Sequence, residues 1–321
     1  MNESPRVAEP ERPLAVELSA LRKSYGAHVA VDGIDLAIRA GEAVGLVGPN
    51  GSGKSTTLKM LVGLVRPTSG DGRVLGRSIV GESVVARRRI GYMPEEVHPY
   101  RGMTGRAYLE FCGSFHADRA AVRERSRSLA ERLLVPVDRK VKTYSLGMRV
   151  KLGLIQAAAH GPELLILDEA TKGLDPTSRR EVLDLVREEN ARGATVILSS
   201  HVLSEIERVC TRTEFIRKGR LVSAGDRAAA RARLERVARV SIEGGAGAER
   251  LAALPGVEAV SREGSTFRLV LAGDGRDALR ALAALPVTRL EFRSAGLDDL
   301  YEEIYFGAGG GGPGGTSGGR A

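Results

Sequence analysis

The sequence predicts an α/β protein whose mostly parallel core sheet is covered by helices and is followed by a smaller α+β unit. Two observations carry this. Short apolar runs at residues 43–47, 164–167 and 195–198 are separated by helical periodicities, the alternation of a parallel sheet buried on both faces. After Gly225 the pattern changes to an Ala/Arg-rich linker and then to short, weakly alternating segments.

In chain order, residues 1–13 are rich in Pro, Glu and Arg without periodicity and are expected to be disordered. A first domain is expected over 14–226. Within it, about 95–160 reads as a helical subdomain, because amphipathic patterns at 108–115 and 119–134 dominate there and strand signals are few. The second domain, 227–306, shows strand signals near 237–242, 257–261, 267–271 and 287–292, with helical runs at 248–254 and 276–285 between them. The order strand, helix, strand, strand, helix, strand is that of a ferredoxin-like unit, closed by a last helix at 297–306. Residues 307–321 form a Gly-rich tail expected to be disordered.

With 321 residues, 42% hydrophobic and 27% charged, the chain has the composition of a globular protein long enough for two cores. No apolar run approaches the roughly 18 to 20 residues of a membrane helix, and the start lacks the apolar stretch of a signal peptide. The chain is therefore expected in the cytoplasm. Cys112 and Cys210 sit in no metal or redox spacing and are expected as reduced thiols. The formal charge of +8 suits nucleic acid, anionic lipid or a nucleotide equally, while 4% aromatics and no Trp argue against a base-stacking single-strand binder.

The chemistry starts at Gly48-Pro49-Asn50-Gly51-Ser52-Gly53-Lys54-Ser55, which follows the strand at 43–47 and opens a helix expected at 56–64, beginning with Thr56. This is a phosphate-binding loop. Its glycines let backbone amides and the helix N-terminus point at phosphates, Lys54 neutralises β/γ charge, and Ser55 can hold Mg²⁺. A second constellation, Leu164-Leu165-Ile166-Leu167-Asp168-Glu169, delivers two carboxylates at a strand end. Asp168 can hold Mg²⁺ directly or through water, and Glu169 is placed to act as general base toward an attacking water.

Tyr144-Ser145-Leu146-Gly147-Met148 then stands before a helix, with Ser145 as its N-cap and Gly147 leaving room for close approach. In this order and spacing the sequence resembles the ATP-binding cassette (ABC) family over roughly residues 16–225. Three further pieces fall in the family's order: Tyr25 in Lys-Ser-Tyr-Gly, Asp175 in Gly-Leu-Asp-Pro, and His201 in Leu-Ser-Ser-His. The resemblance implies a P-loop cassette with a mostly parallel core sheet, an antiparallel β subdomain and a helical subdomain. It also implies that Tyr25 stacks on adenine, that His201 contacts the γ-phosphate with Glu169 as the catalytic pair, and that Ser145 to Met148 complete the ATP site of a second subunit. Asp175 links the two sites of that dimer.

Glu95 stands where most members have a glutamine that senses Mg²⁺, so the implied metal set is Ser55, Asp168 and Glu95; Leu146, Met148 and Ala170 also depart from the widest pattern. The combination is similar to the drug and antibiotic exporter branch, in which ATPase and permease are separate chains. The resemblance therefore implies an ATP- and Mg²⁺-dependent ATPase, paired as a homodimer or with another ABC subunit, at the cytoplasmic face of the cell membrane through its permease. No nucleic-acid partner is expected. The alternative is a non-transport ABC ATPase acting on ribosome or nucleic acid; such relatives usually carry two cassettes or long insertions. The C-terminal unit resembles accessory domains of the exporter branch.

Overall fold

The computed structural model describes residues 12–228, 237–242, 248–263, 266–272, 275–292 and 297–306. The terminal segments 1–11 and 307–321, on which most of the expected disorder falls, lie outside them. Contacts divide the chain into one unit ending at Leu221 and another beginning at Val222.

In the first unit, β1 (Leu14–Tyr25) and β2 (His28–Arg39) form an antiparallel hairpin whose turn uses Gly26 at φ 57°. β4 (Ser69–Val74) and β5 (Arg77–Ser78) extend it to an antiparallel sheet ordered β2-β1-β4-β5. The second sheet is ordered β10-β9-β3-β8-β7-β6. Its members are β3 (Ala43–Val47), β6 (Ile90–Met93), β7 (Leu164–Asp168), β8 (Thr195–Ser199), β9 (Arg212–Arg217) and the edge strand β10 (Arg220–Leu221). Its pairs are parallel except β9 with β10. Every residue of β3, β7 and β8 is buried, which is why these strands read as continuous apolar runs rather than alternation. Val44 faces Ile197 and Leu165 faces Val196 across the ladders, so the carboxyl ends of β3, β8 and β7 open together at one edge. In open α/β sheets that edge is where ligands bind.

Helix α1 (Lys54–Leu61) follows β3 and buries Leu58, Met60 and Leu61 in a core shared with Val31, Ile38, Leu46 and Ile166 from both sheets. It starts two residues before the expected position, because the phosphate loop winds directly into its first turn. It ends at Leu61 rather than 64, because Gly63 adopts φ 67°, a left-handed backbone that cannot continue a helix. After α2 (Ser83–Arg87) comes the helical region: α3 (Gly105–Gly113), α4 (Arg119–Arg132) and α5 (Leu146–Ala158). Thr104 and Asp118 cap α3 and α4 by accepting from Ala107 N at 3.2 Å and Ala121 N at 2.9 Å. Nine of the fourteen residues of α4 are polar or charged, and it buries a narrow stripe of Val122, Ser126, Leu129 and Ala130. Arg125 and Arg132 on its flanks pair with Glu189 and Glu188 of α6 (Pro176–Ala191). α7 (Leu203–Val209) follows β8.

The second unit has β11 (Val237–Ile242), β12 (Val257–Glu263), β13 (Thr266–Leu271) and β14 (Val287–Phe292) in the antiparallel order β12-β13-β11-β14. Helices Ala248–Ala252 and Arg276–Leu282 lie between strands in the sequence, and Leu297–Phe306 ends the described chain. This connectivity is the expected ferredoxin-like one. Alternate residues Phe267, Leu269 and Leu271 join Ala238, Val240, Leu251, Ala278 and Leu282 in a separate core.

Candidate nucleotide site

The phosphate loop joins β3 to α1 by close backbone approach. A Cβ on Gly48 would stand 2.5 Å from the Ile216 carbonyl oxygen and 2.6 Å from Ser52 Oγ, and Gly53 combines φ 110° with a Cβ position 2.6 Å from the Ala30 carbonyl oxygen. Neither position has room for a side chain. Pro49, Asn50 and Gly51 are exposed, Ser52 is buried, and Ser55 and Thr56 are half-buried on the first turn of α1. Lys54 is 5% exposed. Its ammonium donates to the Gly48 and Pro49 carbonyls at 2.6 and 3.3 Å, and lies 3.7 Å from Glu169 Oε1. A buried cation is thus held across the loop mouth.

β7 ends beside it with Asp168 and Glu169, both buried. Ser199 Oγ, at the end of neighbouring β8, donates to Asp168 Oδ1 at 2.6 Å and accepts from the Glu169 backbone N–H at 3.0 Å. Burial pushes the Asp168 carboxyl up from its ordinary range, against the pull of the Ser199 and Ser55 hydroxyls. Glu169 holds φ 50°, a left-handed backbone that a residue with a Cβ seldom adopts, and its Oε2 lies 2.6 Å from Nδ1 of the exposed His201. Asp168 Oδ2, Glu169 Oε1 and Ser52 Oγ are buried and find no hydrogen-bond partner among the described residues. The unsatisfied Asp168 carboxylate oxygen with the Ser55 hydroxyl near it is a donor set suited to a small, hard cation.

Tyr25 ends β1, is 51% exposed, and has Lys23 Nζ 4.9 Å above its ring. Ser145 caps α5 by accepting from Met148 N at 3.2 Å. Asp175 caps α6 through Thr177 N and Ser178 N, both at 3.0 Å, with Pro176 in the first turn. The backbone and side-chain hydrogen bonds from Ser178 hold the Asp175 carboxyl below its usual range. These two helix N-termini are neighbours: a Cβ on Gly173 would meet Leu146 at 2.7 Å, and one on Gly147 would meet Leu174 and Ser178 at 3.7 Å. The latter are ordinary contacts, so the packing of the described residues leaves room for a Cβ at 147. Glu95 follows β6 and is paired with Lys172.

The sequence profile described as "ABC transporter" matches residues 31–172. The chain is 37% identical over 300 residues to the daunorubicin/doxorubicin resistance ATP-binding protein DrrA of Streptomyces peucetius, covering 91% of each. This chain belongs to the ABC transporter family as an ATP-binding subunit. It is also 38% identical over 214 residues to the Nod factor export ATP-binding protein I of Paraburkholderia xenovorans, covering 66% of this chain and 70% of that one. Among solved structures, an ATP-binding subunit of an ABC transporter matches with TM-score 0.62 and 28% identity over 67% of this chain and 92% of its own. A dimeric cassette in a post-hydrolysis state with ADP and Pi matches in fold, with TM-score 0.60 at 23% identity over 65% of this chain and 97% of its own. As an ABC ATPase the subunit binds and hydrolyses ATP.

Three residues of this ABC subunit that sequence reasoning passed over belong to the site's surroundings. Ser199 joins both carboxylate positions of β7, as described. Glu205 of α7, 2% exposed, accepts from Thr171 Oγ1 at 2.5 Å and Ser200 Oγ at 2.8 Å and pairs with Arg179 of α6 at 3.1 Å, tying the segments after β7 and β8 together. Lys172 neutralises Glu95. Serine and threonine after a strand, or Glu in a helix, carry no local signal; spacing between strands would have been needed to find them.

Proposed function

We propose that this ABC subunit powers an exporter: two copies close head to tail on ATP at the cytoplasmic face of a membrane, hydrolyse it, and drive a separately encoded permease. The observation that carries the reading is the buried Glu169 carboxylate, with Lys54 on one side and His201 on the other, at the strand ends where a γ-phosphate fits. In this reading the backbone amides of residues 50–56 and the Lys54 ammonium bind the phosphates, and the exposed Tyr25 ring stacks on adenine. Ser55 and Asp168 hold Mg²⁺, with Glu95 at the rim. Bound Mg²⁺ supplies charge neutralisation for the phosphates. Glu169 removes a proton from the attacking water, while His201 orients that carboxylate and reaches the γ-phosphate.

Ser145, Leu146, Gly147, Met148 and Asp175 serve the partner copy's ATP. Support comes from their side-by-side helix N-termini, and from a glycine at 147 where the packing of the described residues leaves room for a side chain. Export is supported by the drug-resistance and Nod factor export relatives. No helix among the described residues is long and apolar enough to cross a membrane. An exposed aromatic ladder of α3 and its flanking segments supports a docking surface for the permease: Tyr100, Phe111 and Phe115 meet edge to face at 5.7 and 5.2 Å. Residues 14–226 make up the nucleotide-binding domain in this scheme and 227–306 an accessory domain.

The test is affinity capture of the Glu169→Gln protein with ATP from detergent-solubilised native membranes. A polytopic membrane protein in stoichiometric amount is expected. Ribosomal proteins or nucleic acid without a membrane chain would overturn the reading.

A further inference from the structure

Glu95 and Lys172 lie 77 residues apart in sequence, just beyond the ends of adjacent strands β6 and β7, and Lys172 Nζ donates to Glu95 Oε1 at 2.5 Å. The pair stands at the rim of the buried carboxylates. Asp168 feels the charge of Glu95, and Lys172 feels Glu169 as well as Glu95. The Lys172 and Glu95 side chains are 53% and 37% exposed, so as a stability device the ion pair is worth little. Its position gives it another consequence.

We infer that Lys172 is the built-in counter-cation of Glu95 and sets how strongly ATP and a divalent cation favour each other's binding. The inference rests on the ATP and Mg²⁺ reading above. A bare carboxylate at position 95 would add a third negative charge to those of Asp168 and Glu169, and a hard divalent cation would be drawn more tightly for each charge added. Lys172 cancels that charge and occupies one carboxylate oxygen. Glu95 then meets the site nearly as a neutral oxygen donor. Lys172 is thus a positioning residue acting through Glu95.

The experiment measures ATP affinity of the full chain by equilibrium binding in excess Mg²⁺ and in EDTA at fixed ionic strength. The dissociation constant in EDTA divided by that in excess Mg²⁺ is the coupling between nucleotide and metal. A unit charge within about 10 Å of a divalent ion in partly aqueous surroundings changes that ratio by about tenfold. Lys172→Met is expected to raise the ratio about tenfold and Glu95→Gln to lower it about tenfold, because the second variant leaves the lysine uncompensated. Lys172→Arg, which keeps the charge, is expected to stay within about twofold of wild type. Thermal unfolding of each variant checks that the fold is intact, as the exposed lysine predicts. An unchanged or lowered ratio in Lys172→Met would overturn the inference while leaving the ATP site standing. Failure of the wild-type protein to bind ATP in either condition would instead remove the reading on which it rests.

Discussion

His201 Nδ1 lies 2.6 Å from Glu169 Oε2, and the opposite oxygen of the same carboxylate lies 3.7 Å from Lys54 Nζ. One buried acid therefore answers to both the phosphate loop and the end of β8. Glu169→Gln keeps the shape and removes the base, so steady-state hydrolysis is expected to fall by about 100-fold or more while ATP affinity stays within about threefold. Phosphate-release assays beside equilibrium binding decide it; turnover that survives the change would take the base role away from Glu169.

Ser199→Ala tests the clamp between the Asp168 carboxylate and the Glu169 backbone. Removing the hydroxyl strips Asp168 Oδ1 of its 2.6 Å donor inside a buried pocket, a loss of about 1 to 3 kcal/mol in stability. Hydrolysis is expected to drop about tenfold as the two acids lose their alignment. Urea unfolding and turnover are read on the same protein, and no change in either would mean that the hydroxyl holds nothing.

Burial pushes the Cys210 thiol up to about 12 and raises that of Cys112. A thiol disfavoured as thiolate is a poor nucleophile. At pH 8 an aromatic disulfide reagent is expected to label the native protein at least about 100-fold more slowly than a free cysteine, and both thiols at once in denaturant. Rapid native labelling of the half-buried Cys210 would contradict the upward shift of its thiol.

His160 supplies a pH dependence. Burial pushes it down to about 4 from 6.5, with His116 stacked on it at 4.2 Å and the Arg125 charge adding to the effect. In the unfolded chain this imidazole takes a proton below about 6.5, while the folded one stays neutral until about 4, so stability falls as pH drops through that window. Between pH 7.5 and 5.5 the loss from this residue is about 1 kcal/mol. Chemical denaturation of wild type and His160→Gln at both values should show a smaller pH effect in the variant; equal slopes would assign the dependence elsewhere.

Residues 48–55 were legible because a phosphate loop is local: glycine spacing, lysine and hydroxyl lie within one turn of chain. The two acids were legible for the same reason, at the end of an uninterrupted apolar strand. Ser199, Glu205 and Lys172 were not, since each acquires its contacts from a segment 31, 34 or 77 residues away. Sheet order decides those meetings, and no window of sequence contains it. The start of α1 was misplaced by two residues for a related reason, because a loop that ends in helical backbone has no composition break at the boundary. The ferredoxin-like connectivity was readable from strand and helix succession, whereas the stacking of His116 on His160 joins segments whose sequences give no hint of each other.

The parallel ladder also fixes when this protein can first hold a nucleotide. β3 carries the phosphate loop at residue 48, yet its neighbours on either side are β8 and β9, which reach residue 217. During synthesis the loop emerges early without the walls that shape it, and those walls arrive some 150 residues later. The nascent chain is thus expected to hold no nucleotide until β8 and β9 have been made and have paired with β3.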